Sequence, residues 1–289
     1  MNLFFELLKF IVLSLGIVAI AKYLLVPVLR KISNLLKLGP KATGNIAGFA
    51  TSVPELLTVA FSASAGFIGT SLYNIFSSNV INLIQYIFAI YLNKNQKFLG
   101  NRAIKVDLFL VAITILIPAI LLIFEIELKP QIVIIFIILM AIFYYINYNA
   151  HKLYLEKEDA EILDEIEEEE KEKQRFKKSN NKIIILYWVY LLLIAVALYI
   201  IGELLSASLT NLSNIFGFPE FVLGVLLGVI TSLPELITFI ESQRKEKAKN
   251  SEEANKLGVV EATNNLLTSN ILNLFAIQSI GIIIFWIFG

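Results

Sequence analysis

The sequence predicts an all-α polytopic membrane protein built from inverted-topology repeats, with about eight transmembrane helices. Three observations carry this. The 289 residues are 57% hydrophobic and only 17% charged, with a mean hydropathy of +0.74. Apolar runs of about 18 residues or more, long enough to cross a bilayer core, recur along the chain. A pentapeptide that is costly inside such a run then occurs twice, as TSVPE at 51–55 and TSLPE at 231–235. A soluble helical protein of this size would need far more polar surface. The net charge is zero, which gives no support for a nucleic-acid partner, and with no cysteine there is no disulfide, thiol catalysis or thiolate metal site.

The spans fall near 4–29, 42–64, 68–92, 104–124, 130–149, 183–205, 218–240 and 258–281. The first begins at Leu3 and carries Glu6 and Lys9; with no basic start and no small-residue cleavage site, it reads as a retained helix and not a signal peptide. Residues 1–149 form a first repeat of five helices, 150–182 a charged linker, and 183–289 a second repeat of about three helices. The linker offers many i,i+4 opposite-charge pairs and is expected to be partly helical. Its acidic run, Glu167 to Glu170, reads as part of a solvated segment, with a calcium-sensing patch as the sharper alternative.

Lysine and arginine in the short loops set the orientation. The first loop holds Arg30, Lys31, Lys37 and Lys41, and the third holds Lys94, Lys97, Arg102 and Lys105. The second loop, near 65–67, and the sixth, 206–217, hold none, and the fourth holds only Lys129 beside Glu125 and Glu127. The seventh holds Arg244, Lys245, Lys247, Lys249 and Lys256. This alternation places the N-terminus outside and the linker in the cytoplasm of an integral membrane protein, expected in the cell membrane. An odd number of spans before the linker then makes the TSVPE span run outward and the TSLPE span inward, as in the inverted repeats of many secondary transporters.

The repeat extends beyond five residues. GNIAGFATSVPELLT at 44–58 and GVLLGVITSLPELIT at 224–238 share G-x3-G-x2-T-S-x-P-E-L-x-T. On the following spans, NIFSSNVINL at 74–83 and NLLTSNILNL at 265–274 share N-x2-[S/T]-S-N-x2-N-L, so the motifs SSNVIN and TSNILN pair with TSVPE and TSLPE. Gly44/Gly48 and Gly224/Gly228 are small-residue pairs that permit close helix approach, and packing alone accounts for them. Pro54 and Pro234 crowd the carbonyls of Ala50 and Ile230. Freed carbonyls at that depth must face protein or a wet cavity, where they are able to ligate a cation; a plain proline kink is the simpler reading.

Glu55 and Glu235 weigh most. A carboxylate at mid-membrane costs a few kcal/mol even on the lenient insertion scale, about 2.5–3.5 kcal/mol for Asp. No Lys or Arg lies at their depth to pair with them, so they are either inert protonated acids or cation ligands. Thr51, Ser52, Thr231 and Ser232 add hydroxyls one turn before each glutamate, while Ser78/Asn82 and Ser269/Asn273 share helix faces at i,i+4. An all-oxygen set suits a hard cation such as Ca²⁺ or Na⁺, and neither zinc nor copper. Two ionised glutamates balance one Ca²⁺, two Na⁺ or two protons, and occupants that share them exclude one another.

These motifs resemble the cation/Ca²⁺ exchanger superfamily, most closely its sodium/calcium exchanger branch, whose repeats look like G-T-S-L-P-E and G-N-x2-G-S-N. The stretch from Leu198 through Thr238 is similar to that family's approach to its second repeat. The resemblance implies that Glu55 and Glu235 are the Ca²⁺ carboxylates and that Thr51, Ser52, Thr231, Ser232, Ser78 and Ser269 supply oxygens. It also implies that Gly48 and Gly228 offer backbone carbonyls, and that Asn82 and Asn273 occupy positions where members carry Asn or Asp. Spans one and six would slide against the rest. This chain differs in having Tyr73 and Ser77, and Asn264 and Thr268, where the family has glycines, which implies altered packing. Asn273 is not the Asp that K⁺-dependent relatives tend to have, which points away from K⁺ co-transport. The family norm is ten spans, and the counterparts of spans four and five are not found in the second repeat.

The leading expectation is a secondary antiporter exchanging Ca²⁺ for Na⁺ by alternating access at a mid-membrane site. The alternatives are exchange of H⁺ for Ca²⁺ or another divalent cation, and a non-transporting truncated fragment or scaffold; a second subunit is a partner only if the chain is incomplete. An enzyme is not expected: the single histidine, His151, begins the linker, and no base or aspartate pair sits at depth. No cofactor is expected beyond the transported Ca²⁺ and Na⁺, and the partners are those ions and the lipid bilayer.

Overall fold

The computed structural model describes residues 2–25, 27–28, 31, 48–49, 51–158, 181–247 and 252–289. Among these residues the fold is helical with no strand. In chain order α1 is Leu3–Ile20 with a π-turn at Ala21–Leu25, α2 is Val53–Ser64, α3 is Ile68–Leu92, α4 is Arg102–Ile123 and α5 is Gln131–Glu158. In the second half α6 is Asn181–Asn214, α7 is Glu220–Thr231, α8 is Leu233–Lys247 and α9 is Glu252–Ile271. A π-helix at Leu272–Ile277 then leads into α10, Gln278–Phe288.

Seven stretches among the described residues are helical, long and apolar enough to cross a membrane: Leu3–Leu25, Ile68–Leu92, Arg102–Ile123, Gln131–Ala150, Leu186–Asn214, Glu220–Gln243 and Gly258–Phe288. They match seven of the eight expected spans. The expected span at 42–64 is represented by Gly48–Phe49 and the 12-residue Val53–Ser64, because most of its first half, with Gly44, Ala50 and the first basic loop apart from Lys31, lies outside the described residues. The acidic run at Glu167–Glu170 also lies outside them.

Side-chain contacts fix the helix directions. Thr70 meets Glu220, Tyr73 meets Gly224 and Ser78 meets Gly228, so α3 and α7 run the same way. Ser71 bonds to the Val59 carbonyl and Asn74 to Thr58, so α2 and α3 run opposite ways. The two TS-x-PE helices are therefore antiparallel, which is the inversion expected from the loop charges. Spans one and six obey the same rule: Gly16 abuts Ile201, while the Asn211 amide donates to Glu6 Oε1 at 3.3 Å. That bond, with Lys9 3.6 Å away, accommodates the one acidic residue of the first span.

Two apolar clusters divide the interior. Tyr86, Ile90, Leu110, Phe136, Phe143, Phe239, Leu266 and Phe275 belong to one, formed by α3, α4, α5, α8, α9 and the π-helix. Phe10, Ile17, Leu198, Leu205, Leu209 and Leu212 belong to the other, which joins α1 to α6 and meets the first through Phe67, Leu223 and Leu227. A broad outward belt of exposed apolar side chains, including Phe88, Phe109, Ile123, Ile134, Leu192 and Tyr199, covers the helices. Such a continuous apolar exterior suits lipid and not water.

Candidate cation-binding site

Each TS-x-PE segment breaks its helix in the same way. Ser52 has φ −82°, ψ 0° and Ser232 has φ −78°, ψ −1°, each immediately before a helix that carries proline in its first turn. The physical cause is proline itself, which cannot donate the ladder hydrogen bond and is best accommodated in the first turn of a helix. In both copies the serine N–H reaches back 3.2 Å to a glycine carbonyl, Ser52 to Gly48 and Ser232 to Gly228. The carbonyl of Ile230 is not released as expected, because a backbone N–H of the cap turn bonds to it. The carbonyls that gather hydroxyls are instead those of Gly48 and Gly228. Gly48 O accepts from Ser52 Oγ at 2.8 Å and from Thr51 Oγ1 at 3.3 Å, and Gly228 O accepts from Ser78 Oγ at 3.4 Å.

The glycines also set how closely the repeats approach. A Cβ on Gly48 would fall 2.8 Å from the Asn265 carbonyl oxygen and 3.1 Å from the Ser269 nitrogen. A Cβ on Gly228 would meet Ser77 Oγ and lie 2.8 Å from the Asn74 carbonyl, and one on Gly224 would lie 2.5 Å from Tyr73 Cβ. Here is the reason that Tyr73, Ser77 and Thr268 are accommodated where small residues were expected: each stands over a glycine of the opposite repeat. Each TS-x-PE helix is thus seated on the asparagine-rich helix of the other repeat.

The twelve expected residues converge. Thr51, Ser52, Glu55, Ser78, Asn82, Thr231, Ser232, Glu235, Ser269 and Asn273 are all buried, as are Gly48 and Gly228. Ser52 Oγ and Ser269 Oγ are 2.9 Å apart, Ser269 donates to Glu235 Oε1 at 3.2 Å, and Asn82 Nδ2 donates to Ser269 Oγ at 3.4 Å. Across the centre Ser78 Oγ and Thr231 Oγ1 are 3.5 Å apart. The hydroxyls of Thr231 and Ser78 face Glu55, and those of Ser269 and Thr51 face Glu235, so each carboxylate is served from both repeats.

Much of the oxygen is left over. Among the described residues both carboxylate oxygens of Glu55, Oε2 of Glu235, Oγ of Ser232 and Oδ1 of Asn82 and Asn273 have no hydrogen-bond partner. Neither glutamate has a cationic side chain as partner there, and no third acidic or imidazole group joins them. Buried polar groups are normally satisfied, so this cluster of oxygens leaves room for a bound cation, water or protons.

The framework holding these acceptors includes residues beyond those expected. Asn79 and Asn270, the second asparagine position of the motif, bond reciprocally: Asn270 Nδ2 donates to the Asn79 carbonyl at 3.2 Å and Asn79 Nδ2 to the Asn270 carbonyl at 3.3 Å. Asn79 Oδ1 also accepts from Asn273 Nδ2 at 3.1 Å, and Asn270 Oδ1 from Asn82 Nδ2 at 3.1 Å. These bonds consume the donor ends of Asn82 and Asn273 and turn their oxygens free. A second symmetric pair anchors the hairpins, with Asn74 Nδ2 on Thr58 Oγ1 at 2.7 Å and Asn265 Nδ2 on Thr238 Oγ1 at 2.6 Å. All four residues stand in the repeated strings, and their recurrence was the available signal.

Two stretches covering most of the chain, residues 6–153 and 186–288, match the family model described as sodium/calcium exchanger protein. The chain belongs to the sodium/calcium exchanger family. No curated protein and no solved structure matches it at a significant level. Both matched stretches of this exchanger-family chain contain one TS-x-PE segment and one asparagine-rich helix, so the family match spans both halves of the site.

Proposed function

We propose that this exchanger-family protein is a secondary antiporter that exchanges Ca²⁺ for Na⁺ across the cell membrane. Family membership supports cation and Ca²⁺ transport by an integral membrane protein; the choice of Na⁺ as coupling ion is the further step. The observation that carries the exchange reading, whichever ion couples it, is the pair Glu55 and Glu235, fully buried, drawn from antiparallel helices and rich in unpartnered oxygen.

Magnitudes require that the two carboxylates be neutralised, by bound cations or by protons. An ionised carboxylate buried without a partner costs several kcal/mol, and two of them rival the roughly 5–15 kcal/mol that holds a whole domain folded. One Ca²⁺ neutralises both, as do two Na⁺, and the surrounding hydroxyl, amide and carbonyl oxygens supply the six to eight ligands that Ca²⁺ prefers. Because the same carboxylates serve either ion, the occupants compete, and competition at one central site is the basis of exchange. The division of the interior into an α1/α6 cluster and a core that holds the site supplies the two bodies whose relative movement opens the site to one side and then the other.

Reconstituted protein tests this through ⁴⁵Ca²⁺ uptake under imposed gradients. An outward Na⁺ gradient is expected to drive uptake. Uptake that ignores Na⁺ and follows a pH gradient assigns H⁺ as the coupling ion, and cation binding without transport assigns a scaffold role.

A further inference from the structure

The π-helix at Leu272–Ile277 interrupts the second asparagine-rich helix, and the first asparagine-rich helix, Ile68–Leu92, is uninterrupted α-helix. A π-turn adds one residue to a helical turn, and such insertions recur at functional sites. Its effect here is directional. In an α-helix the residue stacked above Asn273 would be Ile277; across the π-turn it is Gln278. The side chain of Gln278 is fully buried, and neither its Oε1 nor its Nε2 has a hydrogen-bond partner among the described residues. Burying an amide in that condition costs about 1–3 kcal/mol by mutational measures. No packing role calls for it, because a leucine or methionine would fill the same volume without that cost.

Register places this amide beside the site. A Cβ on Gly281 would lie 2.6 Å from Val59 Cγ1, and one on Gly289 3.1 Å from the Ala63 carbonyl, so α10 and α2 run side by side in the same direction. One turn back from Gly281 is Gln278, and one turn back from Val59 is Glu55. Residues three and four apart share a helix face, so Gln278 and Glu55 stand at one level on the adjoining faces of α10 and α2. Both Glu55 oxygens and Asn273 Oδ1, one π-turn before Gln278, also lack partners. Glu55, Asn273 and Gln278 are thus all buried with oxygens left unsatisfied.

We propose that Gln278 is a further ligand of the cation held at Glu55, its amide oxygen adding a neutral donor from the second repeat alone. The inference rests on the exchange-site reading above. It makes the site asymmetric: the position of Gln278, four residues after Asn82 in the uninterrupted first copy, is held by Tyr86, whose hydroxyl lies 2.7 Å from Thr263 Oγ1. A neutral oxygen extends coordination without adding charge, which keeps the fixed charge matched to one Ca²⁺ or two Na⁺.

The test is equilibrium ⁴⁵Ca²⁺ binding and Ca²⁺-dependent thermal stabilisation of the purified full-length chain. Gln278→Met keeps the length and removes both polar atoms. It is expected to raise half-saturating Ca²⁺ roughly tenfold or more, the scale on which groups supporting a metal site act, with a melting temperature in Ca²⁺-free buffer equal to or above that of the wild type. Half-saturation unchanged from wild type overturns the proposal and leaves water as the amide's partner. Should that variant not fold, Gln278→Glu decides: a third carboxylate is expected to shift preference toward Ca²⁺ over Na⁺, and an unchanged preference overturns the proposal. Glu55→Gln separates the two readings. If it binds Ca²⁺ as the wild type does, the exchange site itself is wrong and the role of Gln278 falls with it. If it abolishes binding while Gln278→Met changes nothing, only the role of Gln278 is wrong.

Discussion

At the residue scale the protein is defined by carboxylates held without counter-charge. Glu55 and Glu235 are fully buried, and three of their four oxygens have no partner among the described residues. That arrangement opposes folding and favours ion binding, so the two properties are expected to separate on mutation. In Glu55→Gln and Glu235→Gln the amide keeps the shape and removes the charge. Each variant is expected to melt at a higher temperature than wild type in Ca²⁺-free buffer, because a buried acid costs stability whether it stays ionised or takes up a proton. Each is expected to lose the Ca²⁺-induced rise in melting temperature and to weaken Ca²⁺ binding by roughly a hundredfold or more, since ligand charge count sets affinity at oxygen sites. Differential scanning fluorimetry with and without Ca²⁺ reads both effects. A variant with a lowered Ca²⁺-free melting temperature and an intact Ca²⁺ shift would show that the glutamates hold the fold together and not the ion.

At the element scale the controlling feature is the contact of each TS-x-PE helix with the asparagine-rich helix of the other repeat. Gly228 meets α3 through backbone atoms, with the Asn74 carbonyl 2.8 Å and the Ser78 nitrogen 2.9 Å from where a Cβ would stand. Backbone cannot yield as a side chain does, so Gly228→Val is expected to force α7 away from α3 and to destabilise the protein by about 1–3 kcal/mol, the usual cost of overpacking. It is expected to weaken Ca²⁺ binding as well, because Ser78 loses its register with Gly228 and Thr231. Ser77→Ala removes only the Ser77 hydroxyl from that contact and is expected not to rescue it; thermal melting of the single and double variants measures this. The same contacts show what was readable beforehand. Spans, motif inversion and the residues that converge between the repeats were legible because hydropathy period, loop charge and a twice-repeated string each leave a direct mark on sequence. Asn79 and Asn270 stood in that string, but their role is a reciprocal bond between helices that meet only in the fold. Gln278 was not legible at all, since a π-turn leaves hydropathy unchanged while it rotates every later side chain. The reach of proline was overstated at Ile230, whose carbonyl the cap turn reuses.

At the scale of the whole molecule, the helix ends sort onto two faces. Gly69 lies against Glu220, which puts the α2–α3 and α6–α7 turns together, and Asn95 Nδ2 bonds to Gln243 Oε1 at 3.0 Å, which puts the α3–α4 turn beside the end of α8. The first face carries no Lys or Arg in its turns at 65–67 and 215–219, whereas the second holds Lys94, Lys97 and Arg102, with the basic run following Gln243 in sequence. Positive charge resists translocation, so the second face is expected in the cytoplasm. The absence of native cysteine makes this directly measurable, because any single introduced thiol is the only one that reacts. Ser64 at the end of α2, Ile215 in the α6–α7 turn and Gln96 in the α3–α4 connection are exposed and suited to replacement. A membrane-impermeant maleimide applied to intact cells is expected to label Ser64→Cys and Ile215→Cys, and to label Gln96→Cys only after permeabilisation. The opposite pattern would turn the molecule over in the membrane while leaving the repeats intact. Labelling of Ser64→Cys and Ile215→Cys from different sides would contradict the antiparallel arrangement of the two TS-x-PE helices, and with it the assembly of one site from both repeats.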